Sequence, residues 1–336
     1  MMPLSNHAVQ LLSLLIGLLC ITPPAQGQEI ALPSTVANGA TLEQVATGFA
    51  FTEGPAVNAD GDLFFTDIAS GRILQLSRGG AVDTFRTSRT DVANGLVFDA
   101  RGRLHACEGA SGRVTRTELD SSVTVLAGQY EGNRFNSPND LFLAADGSVY
   151  FTDPPFFAPR PRPQPVTGVY RIAPDGAVSL VVSDTDLPNG IVQSGDGTTL
   201  YVTNDNPSGV GEIWSFDIQP DGGLANRRLF ATAARIMDGM TVDSDGNVYA
   251  ASFDRGSSAE GRGIWVFSAN GELMGLIPTP AQPSNCTLAG DLLWITASQR
   301  VFSIRLNVTG VAPTQTGIDA TSWGTVKAGE QDRGSD

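Results

Sequence analysis

The sequence contains few of the side chains on which enzyme chemistry most often depends. Its 336 residues include one lysine, Lys327, and two histidines, His7 and His105. Schiff-base chemistry over most of the chain and a zinc site built from several imidazoles are therefore excluded. A Ser-His-Asp triad would have to use His105, and no Gly-x-Ser-x-Gly motif accompanies that histidine.

Basic residues are also scarce. Lys and Arg together number 21 against 35 Asp and Glu, which gives a formal net charge of −14. Because nucleic acids and anionic membrane surfaces are bound through Lys and Arg, we predict neither as a partner. Hydrophobic residues make up 41% of the chain and charged residues 17%, a balance typical of a globular protein with a large core.

Long hydrophobic runs are absent, and the one apolar run of note is near the N-terminus. It extends over 11 positions from Leu11 to Ile21, whereas a helix that spans a bilayer needs about 20 residues. The tripeptide Ala25-Gln26-Gly27 follows it and is typical of a signal-peptidase site. We therefore predict a signal peptide over residues 1–28, an exported protein (periplasmic or secreted) and no membrane span. A buried N-terminal helix is the alternative.

What the sequence does contain is a sixfold repeat. Short stretches that begin with Glu, Asp or Asn recur at intervals of 41 to 50 residues. Each stretch continues into an apolar run, a turn with glycine, and further β-branched or aromatic runs. The first residues of the six stretches are Glu53, Asn94, Asn139, Asn189, Asp238 and Asn285.

Four strands in each of six repeats predict an all-β fold, a six-bladed β-propeller with four antiparallel strands per blade. The sixth repeat supplies only three strands, so we expect an N-terminal strand within residues 42–51 to close the ring. The propeller is predicted over residues 29–306, and the polar segment 307–336 is interpreted as a tail. Cys107 and Cys286 fall in different blades, so we predict two unpaired, buried thiols.

The first strand of every propeller blade lines the central channel, so the six repeated residues are expected to meet at one end of it. Two carboxylates and four amides form a set of oxygen donors that suits a hard cation. Ca²⁺ fits best, and other divalent cations fit as well. Asn and Asp before Gly are also common turn residues, which is the alternative interpretation.

Connections between the second and third strands lie at the same end as this ring and include the longest loops. The Pro- and Phe-rich loop over residues 154–167 is expected to form a pocket wall or lid, or else a solvated insertion. Second strands also end at this face. Their terminal polar residues, predicted as substrate contacts or alternatively as turn caps, are Asp67, Glu108, Asp153 and Asn204.

Four motifs around the repeated residues are specific enough to compare with a known family. They are Phe51-Thr52-Glu53-Gly54-Pro55, Ser137-Pro138-Asn139-Asp140, Leu187-Pro188-Asn189-Gly190 and Met237-Asp238-Gly239. These motifs resemble those of the SMP-30/gluconolactonase family of six-bladed propeller hydrolases, and the likeness extends from Leu42 to Leu306. The resemblance implies a divalent metal, usually calcium, held by Glu53, Asn189 and Asp238, with Asn139 completing the ligand set or touching the substrate. Ser137 stands where animal members carry an arginine, so the resemblance does not identify the substrate.

The function implied is hydrolysis of a small-molecule substrate, a sugar lactone or similar cyclic ester, by a protein we expect to be a monomer. A metal-polarised carbonyl would be attacked by water, with Asp238 as the general base and Glu53 as the second candidate. Asn94, Asn139 and Asn285 are expected to contact the substrate. The alternatives are action on aryl esters or phosphotriesters at the same site, and a non-enzymatic binding propeller with a structural metal.

Overall fold

The computed structural model describes residues 30–87, 89–206, 209–233, 235–254 and 260–311, and every regular element in these ranges is a β-strand. The glycines of the predicted turns explain why the chain folds back so often. Gly61 and Gly147, for example, have φ angles of +81° and +89°, which glycine adopts without the strain that other residues would incur. The predicted all-β fold is confirmed.

The strands form six four-stranded antiparallel sheets, and strand β1 (Glu43–Thr47) belongs to the last of them. Blade 1 contains β2 (Thr52–Val57), β3 (Leu63–Asp67), β4 (Arg72–Leu76) and β5 (Val82–Thr87). Blade 2 contains β6 (Ala93–Phe98), β7 (Leu104–Glu108), β8 (Arg113–Thr117) and β9 (Val123–Ala127). A small hairpin, β10 (Gln129–Tyr130) and β11 (Asn133–Arg134), precedes blade 3, which contains β12 (Leu141–Leu143), β13 (Val149–Thr152), β14 (Val169–Ile172) and β15 (Val178–Val182).

The second half of the chain repeats this arrangement. Blade 4 contains β16 (Pro188–Gln193), β17 (Thr199–Asp205), β18 (Gly211–Ile218) and β19 (Leu224–Ala233). Blade 5 contains β20 (Ile236–Val242), β21 (Val248–Phe253), β22 (Gly263–Phe267) and β23 (Leu273–Pro278). Blade 6 contains β24 (Pro283–Ala289), β25 (Leu292–Ala297) and β26 (Arg300–Arg305).

The ring is closed by the N-terminal strand, as the sequence predicts. Strand β1 pairs antiparallel with β26, so the outer strand of blade 6 comes from the start of the chain. The Thr52 hydroxyl of blade 1 then donates hydrogen bonds to the carbonyl oxygens of Ser298 and Arg300 in blade 6. The predicted six-bladed propeller is therefore confirmed, with four strands in each blade.

The core lies between neighbouring blades, where apolar residues of facing sheets form separate clusters. Cys107 of blade 2 packs in one cluster with Phe135, Phe151 and Tyr170, and Cys286 of blade 6 packs in another. Both thiols are buried and unpaired, which confirms the prediction.

Residues at both ends of the described chain pack on the propeller. The Asn307 N–H donates to the Thr35 carbonyl (2.9 Å), and the Gly310 N–H donates to the Gly290 carbonyl (2.8 Å). The start of the segment interpreted as a tail is thus bound to the blades. The predicted signal peptide (residues 1–28) and the tail beyond residue 311 lie outside the described residues. The described part of the chain includes no helix with the length and hydropathy of a membrane span.

Candidate active site

The repeated polar residues lie at the start of the innermost strand of each blade, where neighbouring blades contact one another. In five blades the pairing of the first and second strands is irregular at or beside this residue. The register shifts between Glu53 and Ala56 in blade 1, and between Met237 and Met240 in blade 5. Such a bulge turns a side chain out of the ladder. The sequence pattern placed these residues before the strands, whereas five lie within them and Asn139 precedes β12.

Glycine follows four of the repeated residues and lets the inner strands approach closely. At Gly54, where φ is +45°, a Cβ atom would lie 2.0 Å from the carbonyl oxygen of Asn94. At Gly239 a Cβ atom would lie 1.9 Å from Cγ of Asn285. Both distances are far below van der Waals contact, so any larger residue would push neighbouring blades apart at the axis.

A cavity of about 390 Å³ opens at this end of the channel, a volume within the range of small-molecule sites. Five of the six repeated residues line it, namely Glu53, Asn94, Asn139, Asn189 and Asp238. The sixth, Asn285, is not among the lining residues. Its Nδ2 donates to Oδ2 of Asp140 (3.3 Å), and its Oδ1 accepts the Cys286 N–H (2.8 Å). The structure therefore brings the predicted metal ligands together and leaves Asn285 as their neighbour.

Two of the three carboxylates that line the cavity, Glu53 and Asp238, have raised pKa values. Burial raises the pKa of Glu53 to about 8; the Gly54 N–H opposes this shift and repulsion by Asp140 adds to it. Burial also raises the pKa of Asp238 well above its ordinary value, and repulsion by Glu53 and Asp205 increases the shift. Buried carboxylates that repel each other favour either protonation or a bound cation.

The donor set fits a hard divalent cation. Carboxylate and amide oxygens from Glu53, Asn139, Asn189 and Asp238 are the ligand types that Ca²⁺ prefers, and the two repelling carboxylates would be stabilised by positive charge between them. Within the described ranges, no group of three or more His, Cys, Asp and Glu side chains is placed to hold a metal. The amide oxygens would therefore have to supply part of the coordination.

Asp140 is a buried carboxylate beside the cavity that the repeat pattern did not single out. Its Oδ1 accepts the Leu141 N–H (2.9 Å), and burial raises its pKa to about 6. Its charge contributes to the raised pKa values of both Glu53 and Asp238. A signal was present in the sequence, because Asp140 occupies the position at which four other repeats have glycine.

Asp205 at the end of β17 is a second residue that sequence reasoning missed. It lines the cavity, and its Oδ1 accepts the N–H of Met237 (3.1 Å), the residue before Asp238. Asp205 thus belongs to blade 4 but holds the backbone that presents a carboxylate of blade 5. Its position, directly after Asn204 at a second-strand end, was the available signal.

The four polar residues at second-strand ends, predicted as substrate contacts, are absent from the described lining of the cavity. Three of them bind the backbone that enters the first strand of their own blade. Asp153 accepts the N–H groups of Asn136 (2.8 Å) and Ser137 (2.6 Å), three and two residues before Asn139. This carboxylate therefore fixes the segment that carries a repeated residue.

The same hydrogen-bond arrangement occurs in blades 1 and 4. One side-chain oxygen of Asp67 and one of Asn204 each accept two backbone N–H groups, at distances of 2.9 to 3.1 Å. The donors again lie three and two residues before the repeated residue; they are Ala50 and Phe51 in blade 1, and Asp186 and Leu187 in blade 4. These contacts give Asp67, Asp153 and Asn204 a positioning role, and direct contact with substrate stays a prediction.

Glu108 has a different environment. Its carboxylate accepts hydrogen bonds from Arg86 (2.7 Å), Arg113 (2.5 Å) and the Thr115 hydroxyl (3.0 Å). Arg86 lies on β5 and Arg113 on β8, so the buried Glu108 and these two partly exposed arginines join blades 1 and 2. Contact of Glu108 with substrate likewise stays a prediction.

The apolar residues that line the cavity are more exposed than the polar ones, so they form its mouth and the polar residues form its floor. Six hydrophobic side chains line it, namely Ile68, Phe156, Phe157, Leu187, Ile236 and Phe253. Phe156 and Phe157 come from the loop over residues 154–167, which therefore contributes a wall of the cavity, as expected.

Comparison with known proteins agrees with the fold and with the resemblance of the sequence motifs. The model of the SMP-30/Gluconolactonase/LRE-like region matches residues 51–299. The gluconolactonase of Zymomonas mobilis is 30% identical over 301 residues, which cover 80% of this chain and 82% of that protein. Lactonase drp35 of Staphylococcus epidermidis is 26% identical, with 68% and 70% covered. A solved gluconolactonase structure from Xanthomonas campestris has a TM-score of 0.74 and 35% identity, over 81% of this chain and 91% of that one. The chain therefore belongs to the SMP-30/gluconolactonase/LRE-like family.

Proposed function

We propose that the protein is a metal-dependent lactone hydrolase that opens a cyclic ester, such as a sugar lactone, to the hydroxy acid. The observation that carries this proposal is the pair of buried carboxylates, Glu53 and Asp238, which repel each other in a cavity that is also lined by Asp205 and by the amides of three asparagines. Membership of a family that includes a gluconolactonase and a lactonase supports lactone hydrolysis and an enzymatic role.

The residues that would hold the metal are Glu53, Asn139, Asn189 and Asp238. Their all-oxygen donor set favours Ca²⁺ over softer ions. When bound, such an ion supplies Lewis-acid chemistry, which polarises the ester carbonyl and stabilises the charge that develops on its oxygen.

The side chains of the cavity would supply the general base and the contacts that orient the substrate. Asp238 is assigned as the general base that takes a proton from the attacking water, with Glu53 as the second candidate. Burial and repulsion raise the pKa of Asp238 in the metal-free site, and a bound cation would lower it again and keep the carboxylate in the ionised form that a general base requires. Asn94 lines the same cavity and would orient the substrate through its amide.

Aryl esters and phosphotriesters remain the alternative substrates, because the same donor set would polarise either group. A panel of lactones, aryl esters and phosphotriesters distinguishes them by kcat/KM. A binding propeller without catalysis is disfavoured by the lactonase relatives.

The experiment that tests the proposal is a lactonase assay before and after chelation. Hydrolysis should be lost when the metal is removed and should return when Ca²⁺ is added. Glu53→Gln should need more Ca²⁺ for half-maximal activity, whereas the matched control Glu43→Gln, on the exposed edge strand β1, should behave like the wild type. Full activity in thoroughly chelated protein would refute metal dependence and leave lactone hydrolysis standing.

Export is proposed from the apolar run and small-residue site within residues 1–28. The mass of the protein recovered from the periplasm or the medium locates the cleavage site. Recovery of the full-length chain in the cytoplasm alone would contradict it.

A further inference from the structure

The cavity has two layers with different chemistry. Its floor consists of carboxylates and amides, and its mouth is formed by aliphatic and aromatic side chains. Phe156 and Phe157 at the mouth are 45% and 41% exposed. Two adjacent, exposed phenyl rings at the mouth of a cavity are unfavourable in water, and such a patch is typical of a binding surface.

The wall that carries these rings is held in place. Asn136 donates to the Val166 carbonyl (2.9 Å) and accepts the Gln164 N–H (3.1 Å), while the Gln164 amide donates to the Tyr130 and Asn133 carbonyls (3.0 and 2.9 Å). These bonds tie the second half of the 154–167 loop to the hairpin before blade 3.

Phe157 itself packs against the backbone of blade 2. A Cβ atom at Gly109 would lie 3.1 Å from Cδ2 of Phe157 and 2.7 Å from Oγ of Ser137. The ring is therefore seated over a glycine that leaves room for it. The opposite side of the mouth is supplied by Phe253 at the end of β21 and Ile236 at the start of β20.

The charge of the cavity limits its ligands as well. No Lys, Arg or His is among the described residues that line it, whereas Glu53, Asp205 and Asp238 are. A divalent cation held by Glu53 and Asp238 would balance their two charges, so a substrate with its own carboxylate or phosphate would still meet the Asp205 carboxylate and no basic side chain of the described lining. Sugar hydroxyls placed against the phenyl rings would lose hydrogen bonds to water without replacement.

We propose that the preferred substrate is an uncharged lactone with an apolar substituent on its ring. The ester group lies over the polar floor, and the alkyl or aryl substituent lies against Phe156, Phe157 and Phe253. This inference rests on the proposed function and narrows its substrate class. A volume of about 390 Å³ accommodates a lactone ring with a short substituent.

The test compares three six-membered lactones with the full-length wild-type protein: δ-valerolactone without a substituent, δ-nonalactone with a butyl group, and glucono-δ-lactone with hydroxyls. We expect kcat/KM for δ-nonalactone to exceed the other two values by about tenfold or more, because burial of a short alkyl group contributes at least that factor. Phe157→Ala should lower the value for δ-nonalactone about tenfold more than the value for δ-valerolactone. Phe157→Leu, which keeps an apolar surface, should retain most of the preference for δ-nonalactone over δ-valerolactone.

Phe85→Ala is the matched control. Phe85 is 39% exposed, much like Phe157, but lies on the outer strand of blade 1, so the ratio of the two kcat/KM values should not change. A preference for glucono-δ-lactone, or a ratio unaffected by Phe157→Ala, would overturn the inference and leave the proposed function intact. Failure to hydrolyse any of the three lactones would instead refute the proposed function.

Discussion

Two sets of acidic and amide side chains lie near the same end of the propeller, and their oxygens have different partners. The first set is the ring of repeated residues on the innermost strands, such as Glu53 and Asp238, which line the cavity. The second set lies at the ends of the second strands, such as Asp67 and Asp153, and accepts hydrogen bonds from backbone N–H groups. Residue type is therefore a poor guide to role, and the partner of each oxygen decides it.

The electrostatics of Glu53 and Asp67 show this difference, whereas burial outweighs the Asn136 and Ser137 N–H groups at Asp153 and raises its pKa to about 7. Burial raises the pKa of Glu53 to about 8, because the Gly54 N–H and Asn285 offset little of its desolvation. Burial acts on Asp67 in the same direction, but hydrogen bonds from Phe51, Ser70, Ala50 and Arg72 outweigh it and lower the pKa. A carboxylate already satisfied by the protein has little to offer a metal or a water molecule.

The largest effect should come from Asp238→Asn, which tests the first set. The substitution keeps the shape of the side chain but removes the proposed base, so kcat should fall by about 10²–10⁴-fold. Stability of the chelated protein should not fall, because repulsion with Glu53 is removed. Hydrolysis at saturating Ca²⁺ and thermal unfolding measure the two quantities.

Asp83→Asn, an exposed carboxylate on β5, serves as the control for Asp238→Asn and should leave both quantities unchanged. Wild-type turnover by Asp238→Asn with metal bound would remove Asp238 from its proposed role. Glu53 would then be the next residue to substitute.

Asp153→Ala tests the second set. Compared with Asp238→Asn, it should have a smaller effect on activity and a larger effect on stability. The buried N–H groups of Asn136 and Ser137 would lose their acceptor, and each unsatisfied group costs about 1–3 kcal/mol. The free energy of unfolding should therefore fall by roughly 2–6 kcal/mol, measured by urea denaturation. Hydrolysis should fall less than in Asp238→Asn.

The chain itself offers the matched variant for this test. In blade 4 the single amide oxygen of Asn204 accepts both N–H groups, so Asp153→Asn should retain much of the stability that Asp153→Ala loses. If Asp153→Ala kept its stability and lost hydrolysis as completely as Asp238→Asn, Asp153 would act on the substrate, as the sequence pattern predicts.

The fold could be predicted from the sequence because the pattern that specifies one blade occurs six times. Each Asn or Asp motif, glycine turn and β-branched run recurs, so errors in single elements do not change the number of blades. The closing strand also followed, because the sixth repeat lacked one strand and residues 42–51 supplied one. The ring residues were found for the same reason.

The sequence did not predict which of the two sets lines the cavity and which accepts hydrogen bonds from the backbone. It depends on where bulges turn the inner strands and on which backbone N–H groups reach Asp67 or Asp153, and neither property has a short sequence signature. Asp140 was missed because it breaks the repeat, since it stands where four other blades have glycine. Asn285 was placed in the ring by the repeat, yet its amide is bonded to Asp140 instead of lining the cavity.

The smallest expected effect concerns a buried titratable group outside both sets, His105 on β7. Burial lowers its pKa to about 4, with attraction by Asp99 opposing the shift, so the folded protein keeps it neutral while the unfolded chain is protonated near pH 6.5. Unfolding therefore takes up a proton between these values, and stability falls as the pH drops from about 6.5 towards 4. The loss should be roughly 2 kcal/mol between pH 7 and pH 5.

The raised pKa values of Asp140 and Asp153 have the opposite effect on stability over part of this pH range. The contribution of His105 is therefore measured as the difference between the wild type and His105→Asn in urea denaturation at both pH values. The variant should lose less stability on acidification than the wild type, and identical losses would show that the pKa of His105 does not change on folding.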